Sequence, residues 1–132
     1  MRIAKLKFFI DSGLLCSMML NNLQSKILVG DIFVNEGALA ENYIAAELAK
    51  HGIPLNYYDK KSKHELDFIF QDNNKISIID IKSGKNYKRH PSLNIAQCLF
   101  ADKINRRIVI SSNNIESENG ILYLPFYMSM FI

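Results

Sequence analysis

Between His64 and Gly84 the sequence reads HELDFIFQDNNKISIIDIKSG, and its alternation leaves little room for anything but a β-hairpin. In the first arm, Glu65 to Gln71, Leu66, Phe68 and Phe70 point one way and Glu65, Asp67 and Ile69 the other. In the second, Lys75 to Lys82, Ile76, Ile78, Asp80 and Lys82 share one face and Ser77, Ile79 and Ile81 the other. The polar step Asp72-Asn73-Asn74 between them suits a tight turn, because asparagine tolerates the positive φ that a two-residue loop requires.

With Asn73-Asn74 as the turn, Asp67 falls opposite Asp80 and Glu65 opposite Lys82. Opposed side chains share a face with Cβ atoms roughly 5 Å apart. One face is therefore expected to carry Asp67, Asp80 and Lys82 together, and the other Leu66, Phe68, Phe70, Ile79 and Ile81 as a core face. Two carboxylates so placed repel unless a proton or a cation lies between them. Hard divalent ions such as Mg²⁺ use one or two carboxylates plus waters and phosphate oxygens. A lysine two residues beyond the second carboxylate reaches the same place. That set of groups is what metal-assisted phosphodiester hydrolysis needs.

A chain of 132 residues, 48% hydrophobic, suits one domain with a proper core. The net charge of +3 is compatible with nucleic acid without arguing for it. Cys16 and Cys98 lack CxxC spacing and read as small buried hydrophobes in a reducing compartment. Asp11, Ser12 and Ser17 interrupt the N-terminal apolar stretch, so no signal peptide is read there, and no apolar run reaches the ~18 residues of a membrane span. A cytoplasmic protein with no membrane partner is the expectation.

Residues 1–34 read as a lead-in: an extended Lys5–Ile10, a turn at Asp11-Ser12-Gly13 and a helix over Leu14–Leu20. The core, 35–125, opens on the strongest helix, Asn35 to Lys50, with Asn35 as cap and His51-Gly52 then Pro54 as the stop. At 100° per residue Gly37, Glu41, Ile44 and Leu48 fall in one arc. Glu41 then either finds a cation on a buried face or lies half-exposed at its edge. A strand at Leu55–Tyr58 precedes the hairpin. A helix from Pro91 to about Lys103, a strand Arg107–Ser111, a polar loop Asn113–Gly120 and a strand Ile121–Leu124 follow it. Residues 126–132 form an apolar tail. Helix, three strands, helix, strand, strand spells an α/β domain with helices packed on a central mixed sheet.

Glu41…Asp67-x12-Asp80-Ile81-Lys82 resembles the PD-(D/E)XK nuclease superfamily, the restriction-endonuclease-like fold. More closely, the chain is similar to a C-terminal domain of unknown function found in bacterial and archaeal ATP-binding proteins of the AAA class. The segments that carry the likeness are FFIDSGLL (Phe8–Leu15), GALAENYIAAEL (Gly37–Leu48), HELDFIF (His64–Phe70), IDIKSGKN (Ile79–Asn86) and ILYLP (Ile121–Pro125). The resemblance implies Glu41, Asp67 and Asp80 as metal-side carboxylates for Mg²⁺ or Mn²⁺, and Lys82 as the catalytic lysine. It also implies DNA as substrate and an ATPase as partner. Asp80 stands where the close family usually has glutamate, which draws the carboxylate back by one bond. The Gln-x-x-x-Tyr of related nucleases is half present, Gln97 being followed by Ala101. Ser83-Gly84-Lys85-Asn86 is not a P-loop, since Ile79 occupies the place of its first glycine, so ATP binding is not expected.

Three features remain. His51, His64 and His90 are too scattered for a zinc site and read as surface or loop residues. Lys85, Lys88 and Arg89, with Tyr87 to stack on a base, read either as a solvated loop or as a contact to a nucleic-acid backbone. The tail's Phe126, Tyr127, Met128, Met130 and Phe131 either close the core or offer a surface to a partner, a second copy included.

Overall fold

The computed structural model describes residues 2–5, 14, 36–59 and 65–132. Its frame is a seven-stranded mixed sheet in the order β1-β2-β3-β4-β5-β7-β6. The strands are β1 (Arg2–Lys5), β2 (Asn56–Asp59), β3 (Glu65–Asp72), β4 (Lys75–Lys82), β5 (Ile104–Ser111), β6 (Glu116–Glu118) and β7 (Ile121–Pro125). β1 to β4 are joined antiparallel; β4, β5 and β7 run parallel; β6 closes the far edge antiparallel to β7. Helices α1 (Glu36–Lys50) and α2 (Pro91–Phe100) supply the cover. The cap expected at Asn35 and the helix at Leu14–Leu20 lie outside the described residues, Leu14 itself excepted, which is helical. So do most of the extended Lys5–Ile10, the turn after it, Cys16 and His64.

Both faces of the sheet are buried. On one, Ile44, Ala45 and Leu48 of α1 meet Phe68, Phe70, Ile79, Ile81, Ile108 and Ile110. On the other, Leu93 and Ala96 of α2 meet Leu66, Ile78, Val109, Ile121 and Tyr123. A strand covered on both sides is buried without alternation, and β4 is so from Ser77 to Ile81, polar Ser77 and Asp80 included. Helix α1 ends as its sequence dictates. Gly52 takes φ +71°, Ile53 N–H reaches back to Leu48 O at 3.0 Å and Gly52 N–H to Ala49 O at 3.0 Å. This paired C-terminal closure needs a residue at positive φ, which glycine adopts freely.

The turn residues Asn73 and Asn74 have φ +50° and +67°, and the hairpin register is the expected one, Asp72 opposite Lys75 through to Phe68 opposite Ile79. One expectation fails just beyond. Leu66 packs with the α2 core, opposite to Phe68 and Phe70. Pairing to β2 explains it: Asn56 faces Ile69 but Tyr58 faces Leu66, so β3 carries one extra residue across that step, a β-bulge at Asp67-Phe68. A one-residue insertion turns the side chains beyond it to the other face.

Other differences are local. The polar loop Asn113–Gly120 contains β6, because β7 leaves an open edge that three residues suffice to pair. The second helix stops at Phe100 and continues as a 3-10 turn, Ala101–Lys103. Cys98 is exposed rather than buried, because the buried residues of α2 are Leu93 and Ala96. The tail is a 3-10 segment, Phe126–Phe131. Phe126, Met128 and Ile132 pack on the α1 core, while Tyr127, Met130 and Phe131 stay exposed. No described helix is long and apolar enough to cross a membrane.

Candidate metal centre

The bulge lies where the hairpin ladder stops. In a two-residue hairpin the N–H groups of Lys75, Ser77, Ile79 and Ile81 all point towards β3. Ile81 N–H donates to the Asp67 carboxylate, Oδ2, at 2.6 Å. The carboxylate therefore sits between the two strands, in the fork they make, and is itself half-buried. Asp80 contributes the second carboxylate and is 3% exposed.

The fork is electrostatically unfavourable to a second negative charge. Burial, then the Asp80 charge, push the Asp67 carboxyl up from its ordinary 3.8 to about 8, against the lowering effect of Ile81 N–H. A hydrogen bond between the two carboxyls and the charge of Glu41 push it the same way. A proton held by the pair does what a cation would do there. Lys82 Nζ lies 3.1 Å from Asp80 Oδ2 with its side chain about one-third exposed. The contact is Coulombic; the angles make no hydrogen bond, and Asp80 Oδ2 is buried without a hydrogen-bond donor. That oxygen is met at ion-pair distance by Lys82 alone, while a second carboxylate stands beside it, and two buried carboxylates so placed call for an explanation in a native fold.

Glu41 approaches from α1. A Cβ built on Gly37, one turn earlier, would lie 4.0 Å from Ser83 Oγ, so the helix starts beside the residue that follows Lys82. Glu41 is half-buried and close enough to act on the Asp67 carboxyl. It is engaged in interactions of its own, as is its buried neighbour Asn42. Asp67, Asp80 and Lys82 are thus brought together, and Glu41 stands within electrostatic reach. Among the described residues no three Asp, Glu, His or Cys side chains are gathered tightly enough to hold one ion directly. A hard ion bound by two carboxylates, its other positions filled by water and phosphate, fits this donor set, and it would share Asp80 Oδ2 with Lys82.

The family model for a domain of unknown function, DUF4143, matches residues 36–128, from the first residue of α1 into the tail segment. The chain belongs to this family. No curated protein and no solved structure matches it.

The rest of the expected site lies along the loop that leads the DUF4143 chain from β4 to α2. Lys85 and Arg89 are exposed, and an open depression of about 540 Å³ runs along Lys85 to Arg89. Lys88 instead grips the edge strand, 2.8 Å from Glu116 and 2.7 Å from Glu118. Hydrogen bonds to Glu116 and Glu118 raise its pKa further. Tyr87 packs edge-on against Tyr123, centroids 5.7 Å apart, and its hydroxyl reaches Glu116 at 3.4 Å. Two of the four expected contact residues are thus tied down inside the domain.

His90 lies in the loop, as one half of the reading has it, but not at the surface. It is buried, 7% exposed, with Nε2 2.8 Å from the Tyr123 hydroxyl. Pro91 marked the start of the helix, but no local signal in the sequence marked the burial of the residue before it. The Asp67 bulge left no mark in the alternation, which continues through it unbroken.

Proposed function

We propose that this domain is a Mg²⁺- or Mn²⁺-dependent nuclease, or a module derived from one, acting on DNA phosphodiester bonds within a restriction-endonuclease-like, PD-(D/E)XK framework. The observation that carries this reading is the buried Asp67–Asp80 pair with Lys82 ion-paired to Asp80. No stability argument favours two carboxylates in one fork, whereas a cation-binding role does.

Asp67 and Asp80 would hold the ion, giving up the proton they share, and Glu41 would complete the shell through water. When bound, a divalent ion neutralises phosphate charge and lowers the pKa of a coordinated water. Ile81 N–H keeps the Asp67 carboxylate aimed into the fork. Lys82, anchored to Asp80 but partly exposed, is placed to orient the attacking water and to offset charge on the phosphoryl oxygens. Water adds to phosphorus and releases one proton to solvent, one P–O ester bond breaks, and the departing alkoxide takes a proton from solvent.

A second reading, a non-catalytic module serving an ATPase, is favoured by the absence of a three-ligand cluster among the described residues and by the exposed Tyr127, Met130 and Phe131. Calorimetric titration with Mn²⁺ and a plasmid-nicking assay, on wild type, Asp80→Ala and Lys82→Ala, separate the two. The nuclease reading expects ion binding lost in Asp80→Ala and nicking lost in both variants. Neither binding nor nicking in the wild type at millimolar ion would overturn it in favour of the second reading.

A further inference from the structure

We propose that β6 is an acidic latch on the nucleic-acid contact of the β4–α2 loop: Glu116 and Glu118 hold Lys88 as two successive backbone phosphates would, and a nucleic-acid strand opens the contact by taking their place. The latch rests on the reading of nucleic acid as the substrate and adds a regulation to it.

The loop carries two kinds of cation. Lys85 and Arg89 are exposed, and among the described residues neither forms an ion pair. Lys88, between them in the chain, is occupied: its ammonium lies 2.8 Å from Glu116 and 2.7 Å from Glu118. One positive charge thus faces two negative ones. Arg107, which lines the same cavity as Lys88 and Glu118, cancels the remainder. As it stands, this end of the loop has no pull on an anion.

The placing of the glutamates names what they stand in for. They lie two residues apart on one strand, so they share a face and sit about 6.5 Å apart along it. That is close to the step from one phosphate to the next along a nucleic-acid strand. An ammonium is a compact point charge with three donors, so it donates to carboxylate or phosphate oxygens alike. The Tyr87 hydroxyl also reaches Glu116, at 3.4 Å. The cation and the ring that suit a nucleic acid are therefore both bound to β6.

Exchange at this contact is easy. The side chains of Lys88, Glu116 and Glu118 are 46%, 39% and 46% exposed, and ion pairs so exposed are given up at little cost. Lys88 lines both the open depression along Lys85 to Arg89 and the cavity beside the β6–β7 turn. Its flexible stem carries the ammonium from one to the other with the backbone unchanged. Glu118, once released, has Arg107 on the wall of the same cavity. Charge on an edge strand also keeps other chains from pairing with it. Charge already neutralised by a lysine from another loop does that poorly, so edge protection does not account for the arrangement.

The test is fluorescence anisotropy of a labelled oligothymidine with the whole chain, in EDTA so that no ion at the fork contributes. Glu116→Gln combined with Glu118→Gln should tighten binding about three- to tenfold, the gain from releasing two half-exposed ion pairs. It should also steepen the salt dependence by about one phosphate contact. Lys88→Ala alone should change the wild-type affinity by less than about twofold, because the lysine is already occupied. Added to the double variant, it should remove most of the gain. Glu47→Gln, which frees Lys50 on α1 in the same way, should leave binding unchanged. Three results would overturn the latch. The first is an affinity that the double variant does not alter. The second is a gain that survives Lys88→Ala, which would make it an effect of net charge. The third is an equal gain for polyglutamate, which would make the loop a surface for acidic protein segments. If neither the wild type nor the double variant bound the oligonucleotide, the latch and the nucleic-acid substrate would fall together. Nicking by a wild type whose affinity ignored the two glutamates would sink the latch and spare the nuclease. A latched affinity in a chain that binds no ion at the fork would leave the latch standing without it.

Discussion

At its turn, the β3–β4 hairpin holds an aspartate as stability would have it; at its open end, it holds one the other way. Asp72 accepts from Ser77 Oγ at 2.7 Å and from Arg106 Nε at 2.8 Å, and the Ser77 hydroxyl, then Arg106, draw its pKa below the ordinary value. Asp67, five residues back on the same strand, faces a second carboxylate and is pushed up. The strand and the residue type are shared, so the difference lies in burial and in the partners. A fold satisfies local rules nearly everywhere, and places that break them while the rest agrees are where function concentrates.

The comparison can be broken at its centre first. Ile79 is fully buried between the two ends. Ile79→Ala should cost about 3–4 kcal/mol through lost burial and the cavity left behind, read as a lower urea midpoint with an unchanged slope. A much smaller loss would mean that the hairpin is not one cooperative unit, and the two ends could then not be compared on one scale.

Asp67→Asn should act in the opposite direction. The folded state holds the Asp67 proton, whereas the unfolded chain releases it near pH 3.8. The folded state therefore binds more protons between about pH 4 and 8, and stability falls as pH rises through that window. The full shift converts to several kcal/mol, but water at a half-buried fork reduces the expectation to a gain of about 2 kcal/mol for Asp67→Asn at pH 9 and almost none at pH 4. Urea unfolding at the two pH values checks it. Equal effects at both would show that Asp67 is not held protonated. Mg²⁺ should raise the wild-type midpoint and leave Asp67→Asn unmoved, which ties the strain to the proposed function.

Much of this contrast was legible in the sequence, and its limits have a physical origin. Alternation and the Asn-Asn turn set the register, and the register put Asp67 near Asp80, because both are local properties of two adjacent strands. The bulge is a property of β3 against β2, across a connection of which alternation carries no trace, so Leu66 went to the wrong face. The burial of His90 against Tyr123 of β7 and the pairing of Lys88 with β6 are also long-range, and the second depends on an edge strand that three residues form because β7 leaves its edge open. Glu41 stayed undecided on helical spacing, since a helical arc tells which face a residue occupies and not how far the helix start stands from β4.

The turn itself gives a smaller effect. Asn74 has φ +67° and is exposed, so Asn74→Ala should cost about 1 kcal/mol through backbone strain alone, and Asn74→Gly should recover it. If alanine were harmless there, the turn would not be what fixes the register that brings Asp67 to Asp80.

The smallest effect is expected at Asp72, and its value lies in its sign. Its lowered pKa means that the unfolded chain takes up the proton first as pH falls, so its contribution is present above the ordinary carboxylate pKa and fades through acid. Asp72→Asn should lower the unfolding midpoint slightly at pH 7 and hardly at all at pH 3, the reverse of the Asp67 profile in both sign and pH window. High salt should shrink the effect, since Arg106 is largely in solvent and its attraction is screened there. The two aspartates would then have opposite linkage within one cooperative unit, with Ile79→Ala supplying the scale. If Asp72→Asn instead stabilised the protein at neutral pH, the turn end would be as frustrated as the fork, and a like-charged carboxylate would cease to be a mark of the site.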